Sequence, residues 1–216
     1  MKIGIICEGH TDRAVIQNIL KGLKGIDSSE IAALRPDLSV DETDRSQMSE
    51  DNFSNWSLVK SECENQEKID RFLSIEGNDF VVIQIDADMS DEYGVPKPIK
   101  DANYSDKMRN SIIIKIDEWL DNNYKDHILY AIALEETEAW ILTIYDTKDS
   151  TKSADPKAKL KRTLSKMSIS YSQTHSGFSD ISKKFSKEKN FTKGKFRDYN
   201  KSLDEFCKEI EQKIIV

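Results

Sequence analysis

The chain has few cysteines and no long hydrophobic run, and both absences narrow the classes of protein it can belong to. Its three cysteines lie far apart in 216 residues and form no Cys-x-x-Cys pair, so neither a disulfide framework nor a structural zinc site is expected. No apolar run approaches the roughly 18 residues that a membrane-spanning helix needs. The opening MKIGIICEGH also lacks the long apolar stretch and small-residue cleavage site of a signal peptide. The sequence predicts a cytoplasmic protein that does not engage a membrane.

The net charge of −7 hides a division of charge along the chain. Residues 1–145 hold 15 basic and 29 acidic side chains, whereas residues 146–216 hold 17 basic and 10 acidic ones. This change predicts an α/β domain over residues 1–145, followed by a basic, mainly helical extension over residues 146–216. An acidic body suits a metal ion and a basic region suits phosphate. A solvated lysine-rich face would give the same composition.

Apolar runs alternate with helical patterns over the first part of the chain. This order predicts an α/β fold with a mostly parallel central sheet and helices on both faces. The expected strands are residues 2–7, 80–86 and 128–134, with a further short strand at 56–59. The expected helices follow residue 12 and cover 62–75, 106–123, 156–167 and 201–215. Residues 26–54 are polar and aperiodic, and we expect a long loop there.

Three of the predicted strands end in acidic residues. The carboxyl ends of parallel strands meet at one edge of a sheet, where sites form. Carboxylates placed together repel one another unless a cation neutralises them. All-oxygen donors without His or Cys favour Mg²⁺ or Mn²⁺ over zinc. The candidate ligands are Glu8, Asp12, Asp86, Asp88, Glu135 and Glu138.

Two short motifs in this pattern resemble a known family. Glu8-Gly9-His10-Thr11-Asp12 joins the first strand to a helix, and Asp86-Ala87-Asp88 ends an apolar strand. The combination resembles the Toprim domain of topoisomerases, bacterial primases and the overcoming-lysogenization-defect nucleases. Glu138-Ala139-Trp140 is similar to a motif of small stand-alone bacterial Toprim proteins, which are often tied to phage defence. The resemblance covers residues 2–145 and implies a Toprim-like fold.

The resemblance also implies roles for individual acids. Glu8 would be a metal ligand or general acid/base, and Asp86 and Asp88 would bind metal, so these three are the expected catalytic residues. Asp12 matches the second acidic position of the nuclease branch, which implies two-metal hydrolysis of DNA or RNA. For Glu8 and Asp12 alone, helix capping is an equal alternative.

Two points in the resemblance are open or divergent. The remaining ligand would be Glu135 or Glu138, and the sequence does not decide between them. Ser90 stands where topoisomerases often carry a third acid, and 216 residues leave no room for strand-gating domains. The nuclease branch is therefore the better match, with antiviral defence as the implied role.

Basic and aromatic residues interleave near the end of the extension. Charges on phosphate and rings on bases suit a nucleic-acid strand, although the rings could equally form a small core. A lysine of this region could stabilise the transition-state charge, but the sequence does not identify it. The predicted nucleic-acid-binding residues are Lys183, Lys184, Lys193, Lys195 and Arg197, and the interleaved rings are Phe185, Phe191, Phe196 and Tyr199.

Other functions share parts of this pattern. A haloacid-dehalogenase-like phosphatase also places Asp-x-Asp after an apolar strand, but its pair normally lies at the start of the chain. A glycosyltransferase uses Asp-x-Asp to hold a nucleotide sugar, without further support here. The third alternative is a non-catalytic Toprim interaction module or the effector subunit of an ATPase. The chain has no Walker-type glycine-rich loop, so such an ATPase would be a separate protein.

Overall fold

A computed structural model describes residues 1–36 and 55–215, without the side chains of Asn55 and Lys193. The strands are β1 (Lys2–Ile6), β2 (Ile31–Arg35), β3 (Asn78–Asp86) and β4 (Ile128–Ala133). The helices are α1 (His10–Lys24), α2 (Asn55–Asn65), α3 (Glu67–Leu73), α4 (Tyr104–Trp119), α5 (Glu138–Tyr145), α6 (Pro156–Lys166), α7 (His175–Ile181), α8 (Glu188–Lys193) and α9 (Lys201–Lys213). Short 3₁₀ turns occupy Ser28–Glu30, Lys183–Ser186 and Arg197–Tyr199.

The four strands form one sheet in the order β2-β1-β3-β4. Every neighbouring pair is parallel, as the alternation of strands and helices predicted. All six residues of β4 are buried, which is typical of a parallel strand covered on both faces. Because β1 and β3 are central neighbours, the residues that follow them lie side by side at the carboxyl edge of the sheet.

Alternate side chains of the sheet enter two separate cores, so both faces are covered. Val82 belongs to the core that contains α1, α5, α6, α7 and α9, which we call the α1 face. Val81 and Ile83 belong to the core that contains α2, α3 and α4, which we call the α4 face. This alternation follows from the two-residue period of a strand. The predicted α/β class, with helices on both faces of a parallel sheet, is confirmed.

Three expectations in the region between β1 and β3 are wrong. Residues 26–54 are not one loop, because Ser28–Glu30 forms a 3₁₀ turn and β2 follows it; residues 37–54 lie outside the described part. Trp56–Val59 is not a strand but the start of α2, since Val59 and Cys63 recur at helical spacing and are fully buried. The helix expected over residues 62–75 is interrupted at Gln66, whose φ is +59°.

The C-terminal extension is mainly helical, as predicted, and packs against the rest of the chain. Leu160, Phe178 and Phe206 are buried in the same core as β1. At Gly22 of α1, an added Cβ would stand 1.8 Å from the carbonyl oxygen of Phe185, so helix and extension touch backbone to backbone. Within the described residues, no helix has the length and apolar character needed to cross a membrane.

Candidate active site

Gln84 links the two acids that follow β1 and β3. The backbone N–H of Glu8 donates to Gln84 Oε1 over 2.9 Å, and Gln84 Nε2 donates to Asp86 Oδ1 over 2.8 Å. The backbone N–H of Asp86 donates to Glu8 Oε1 over 2.7 Å. Gln84 is fully buried in β3, so its amide has few alternative partners. These bonds fix Glu8 and Asp86 beside each other at the carboxyl edge.

Arg35, at the end of β2, supports the turn that carries Glu8. Arg35 is 7% exposed, and its guanidinium donates to the backbone carbonyls of Cys7 and, over 3.0 Å, of Glu8. A buried guanidinium needs acceptors, and the turn after β1 supplies them. Sequence reasoning missed this residue because it fell in the region that we expected to be a loop.

Asp12 connects α1 with the turn after β4. It lies in the first turn of α1 and is 7% exposed. The hydroxyl of Thr137, which is fully buried, donates to Asp12 Oδ1 over 2.5 Å. Glu138 follows Thr137 as the first residue of α5 and is 4% exposed. The acids of α1 and α5 therefore reach the same edge as Glu8 and Asp86.

The carboxylates share one electrostatic environment. Burial raises the pKa of Glu8 to about 8, and the charges of Asp12 and Asp88 add to this shift. Burial also raises the pKa of Asp86 well above its usual value, and the charges of Asp12, Glu8, Glu138 and Asp88 raise it further. Such mutual repulsion is what a bound cation would relieve. We call Glu8, Asp12, Asp86, Asp88 and Glu138 the acidic cluster.

The structure separates the glutamates that the sequence left open. Glu138 acts on Asp86 through its charge, and burial raises the pKa of Glu138 itself to about 7. Glu135 instead lies 3.6 Å from the Nζ of Lys100. Of the two candidates, Glu138 is the one whose charge acts on the other acids.

Lys157 brings a positive charge from the extension to the acidic cluster. Its Nζ lies 2.5 Å from Glu136 Oε1. Burial by itself lowers the pKa of Lys157, but the bond to Glu136 and the charge of Glu138 raise it overall, so the ammonium form is held. Burial raises the pKa of Asp12, and the positive charge of Lys157 acts to lower it.

The sequence around Lys157 contains a signal for its position. Asp155 caps α6 by accepting from the backbone N–H of Ala158, and Pro156 occupies the first turn. These residues mark a helix start. A lysine in the first turn opposes the helix dipole, so its position there calls for a nearby anion. Sequence reasoning did not single out Lys157, because we expected a catalytic lysine further along the extension.

The donor set of the acidic cluster fits a hard divalent cation. Its oxygens are carboxylates only, which suits Mg²⁺ or Mn²⁺. Within residues 1–36 and 55–215, no three Asp, Glu, His or Cys side chains are already arranged as a metal-binding group. The oxygens are instead turned to hydrogen-bond donors, namely Thr137, Gln84 and the backbone of Asp86. Each of these bonds uses one oxygen of its carboxylate, and an ionised carboxylate has a second oxygen that can accept a further partner.

The basic stretch at the end of the extension is partly used within the fold. Arg197 donates to Asp204 over 2.6 Å and to Glu211 over 2.8 Å, so its guanidinium serves two ion pairs. Lys184 Nζ lies 5.5 Å above the ring of Tyr145. The side chain of Lys193 lies outside the described part of the chain.

The rings in this stretch pack against one another. Phe185, Phe191 and Phe196 form a cluster with centroids 5.5 to 6.4 Å apart. Phe185 is fully buried. Core packing, which the sequence left as one of two alternatives, accounts for these three rings.

The chain was compared with protein-family models, with curated proteins and with solved structures. No family model, curated protein or solved structure matches it significantly. The structure shows the class of the fold, α/β, with four parallel strands in the described residues and helices on both faces.

Proposed function

We propose that this protein is a divalent-metal-dependent nuclease of Toprim-like architecture, which hydrolyses phosphodiester bonds in DNA or RNA. The observation that carries the proposal is the acidic cluster. Acids from the ends of β1 and β3 and from the first turns of α1 and α5 act on one another electrostatically at one sheet edge. The proposal gains support from the two motifs, which fall at these same positions. The proposed relationship to Toprim proteins rests on those two motifs and on the order of strands and helices along the chain.

The residues of the cluster divide into groups with different proposed tasks. Glu8, Asp86 and Asp88 would hold Mg²⁺ or Mn²⁺, and Asp12 and Glu138 would complete a second position. The ion, when bound, would polarise a phosphoryl oxygen and lower the pKa of its water. Gln84 and Arg35 would hold the Glu8 turn in place, because both bond to its backbone.

Lys157 is proposed to bind the substrate phosphate. Its ammonium group is already beside the acids and its side chain is 59% exposed, so a phosphate oxygen can reach it. A fixed positive charge at this position would stabilise the charge that develops on the phosphoryl oxygens. It also offsets the repulsion that an acidic site exerts on an incoming phosphate.

The proposal is tested with the purified chain on a panel of DNA and RNA substrates in Mg²⁺, Mn²⁺ or EDTA. We expect cleavage with a divalent ion and none in EDTA. Asp86→Asn should abolish cleavage, because the amide cannot replace a charged ligand. The matched control is Asp126→Asn, which changes an exposed acid beside the amino end of β4 and should cleave like the parent.

The other outcomes separate the alternatives. Full activity in EDTA or in Asp86→Asn would reject the metal mechanism. Release of phosphate from a small phosphomonoester, with intact nucleic acids, would favour the haloacid-dehalogenase-like phosphatase. An inactive chain that becomes active only with an ATPase would identify the effector subunit of a separate ATPase, a role in keeping with the antiviral defence that the resemblance implies.

A further inference from the structure

The segment between β3 and α4, residues 89–103, crosses the carboxyl edge and is anchored on the α4 face; we call it the edge loop. Tyr93 and Val95 are buried in the core of that face. The hydroxyl of Tyr93 donates to the backbone carbonyl of Asp86 over 3.0 Å. These contacts hold the loop next to the acidic cluster, on the side away from α1.

Two lysines of the edge loop reach the residues that follow β3 and β4. Lys97 Nζ donates to the backbone carbonyl of Asp88 over 2.6 Å. Lys100 Nζ lies 3.6 Å from Glu135 Oε1, and its side chain is 59% exposed. Lys97 is also exposed. The pair of Lys100 with Glu135 is long, and an ion pair that water reaches adds little to stability. Both ammonium groups are therefore open to a phosphate oxygen.

Lysines from two separate segments, α6 and the edge loop, contact the residues that follow β3 and β4. Lys157 belongs to α6, whose buried residues pack on the α1 face, whereas the edge loop is anchored on the α4 face. Lys157 Nζ lies 2.5 Å from Glu136 Oε1, in the turn after β4, whereas Lys97 Nζ donates to the backbone carbonyl of Asp88, after β3. The two lysines therefore reach the carboxyl edge of the sheet from different segments of the chain.

Exposed apolar side chains accompany the loop lysines. Met89 is 41% exposed and Ile99 is 83% exposed. A large apolar side chain open to water next to a cationic group suits a ligand with both charge and apolar surface. A nucleotide has both, in its phosphate and in the face of its base.

We propose that Lys97 and Lys100 form a second phosphate-binding position on the edge loop, separate from that of Lys157. The strand would cross the sheet edge from the α1 face to the α4 face, with the scissile phosphate at the acids and a neighbouring phosphate at the edge loop. The substrate class is then a polynucleotide cut at an internal bond, because a mononucleotide or a monoester has no second phosphodiester. This inference rests on the proposed function, whose site it extends.

The test measures binding of single-stranded DNA and RNA oligonucleotides that carry one, two or three phosphodiesters. Asp86→Asn serves as the background for all variants, so that no substrate is consumed. With Asp86→Asn alone, which is the parent here, we expect an oligonucleotide with two phosphodiesters to bind more tightly than one with a single phosphodiester. With Lys97→Ala/Lys100→Ala added, this difference in affinity should disappear. On a long single strand, the slope of log affinity against log salt should fall by about 1.4, because each phosphate contact contributes about 0.7.

The matched control is Lys21→Ala/Lys24→Ala, which removes two lysines from the last turn of α1. Since α1 begins at the carboxyl edge, these lysines lie at the far end of the helix. The control should keep the salt dependence of the parent and the same increase in affinity with oligonucleotide length. If the loop variant also keeps both, the loop lysines only hold the loop and the second position is rejected. The second position is likewise rejected if the loop variant loses affinity equally for every length.

Failure of this inference and failure of the proposed function give different results. If the native chain cuts no substrate with any metal, yet the loop variant loses the gain with length, hydrolysis is rejected and the phosphate position stands. If the native chain cuts nucleic acid and the loop variant binds every oligonucleotide as its parent does, hydrolysis stands and the position is rejected. Binding of DNA and of RNA is measured separately, so the same experiment shows any preference for deoxyribose or ribose.

Discussion

At the scale of single residues, Glu8 couples the charge of the site to the stability of the fold. Its pKa is raised to about 8 by burial and by neighbouring acids, whereas an unfolded glutamate titrates near 4.3. Between those values the folded chain keeps a proton that the unfolded chain has lost. The free energy of unfolding should therefore fall as pH rises from about 4.5 to about 8, by at most about 1.4 kcal/mol per pH unit for this group.

Glu8→Gln removes this dependence and keeps an oxygen that can accept from the backbone of Asp86. Its melting temperature relative to the parent should therefore rise between pH 5 and pH 8, measured in EDTA. Glu118→Gln, at an exposed glutamate paired with Lys115, should show no such trend. If the difference in melting temperature between Glu8→Gln and the parent is the same at pH 5 and pH 8, Glu8 is ionised in the folded chain and a nearby positive charge balances its carboxylate.

At the scale of elements, the contact between α1 and the 3₁₀ turn at Lys183–Ser186 joins the extension to the sheet. A Cβ at Gly22 would lie 1.8 Å from the carbonyl oxygen of Phe185 and 2.6 Å from the ring of Phe191. At an open helix position, Gly→Ala gains about 1 kcal/mol. At Gly22 we expect the opposite sign, a loss of about 1–3 kcal/mol from overpacking.

Chemical denaturation of Gly22→Ala measures this sign. Lys21→Ala, at the exposed neighbouring position of the same helix, is the control and should stay close to the parent. A Gly22→Ala variant that is more stable than the parent would mean that the extension moves away from α1 without cost.

The elements also show which features of the fold a sequence can predict. The buried strands β3 and β4 were predicted because each is a short apolar run rich in β-branched residues, such as Val81-Val82-Ile83, and that length is typical of a strand rather than a helix. The edge strand β2 was missed because Ala32 and Ala33 carry little strand preference and polar residues surround them. Its position depends on pairing with β1, a contact between segments that no local pattern contains.

In the candidate site, too, some positions follow from local sequence and others from contacts between distant segments. Glu8, Asp86 and Asp88 were predicted because each follows a strand whose carboxyl end sets its place. The different surroundings of Glu135 and Glu138 depend on how the chain turns after β4, where Glu135 takes a φ of +68°. The approach of Lys157 depends on how the extension folds back onto the sheet. Both are tertiary facts that composition and spacing do not determine.

At the scale of the whole molecule, the division between an acidic body and a basic extension remains a prediction about binding. Residues 152–201 hold 14 basic and four acidic side chains. The acidic cluster would repel a phosphate backbone unaided, so we expect the extension to supply affinity and the body to supply chemistry. Arg197 is excluded from the test set because its ion pairs with Asp204 and Glu211 support α9.

Neutralising Lys183, Lys184, Lys193 and Lys195 together should therefore weaken binding to duplex DNA and flatten its salt dependence. Each phosphate contact contributes about 0.9 to the slope of log affinity against log salt, so four contacts would lower it by about 3.6. The control replaces four lysines that carry ion pairs elsewhere on the surface: Lys21, Lys60, Lys68 and Lys125. An unchanged slope in the first variant would show that these lysines are a solvated face. The basic extension would then stabilise the fold and position Lys157, and the nucleic acid would be bound only at the carboxyl edge of the sheet.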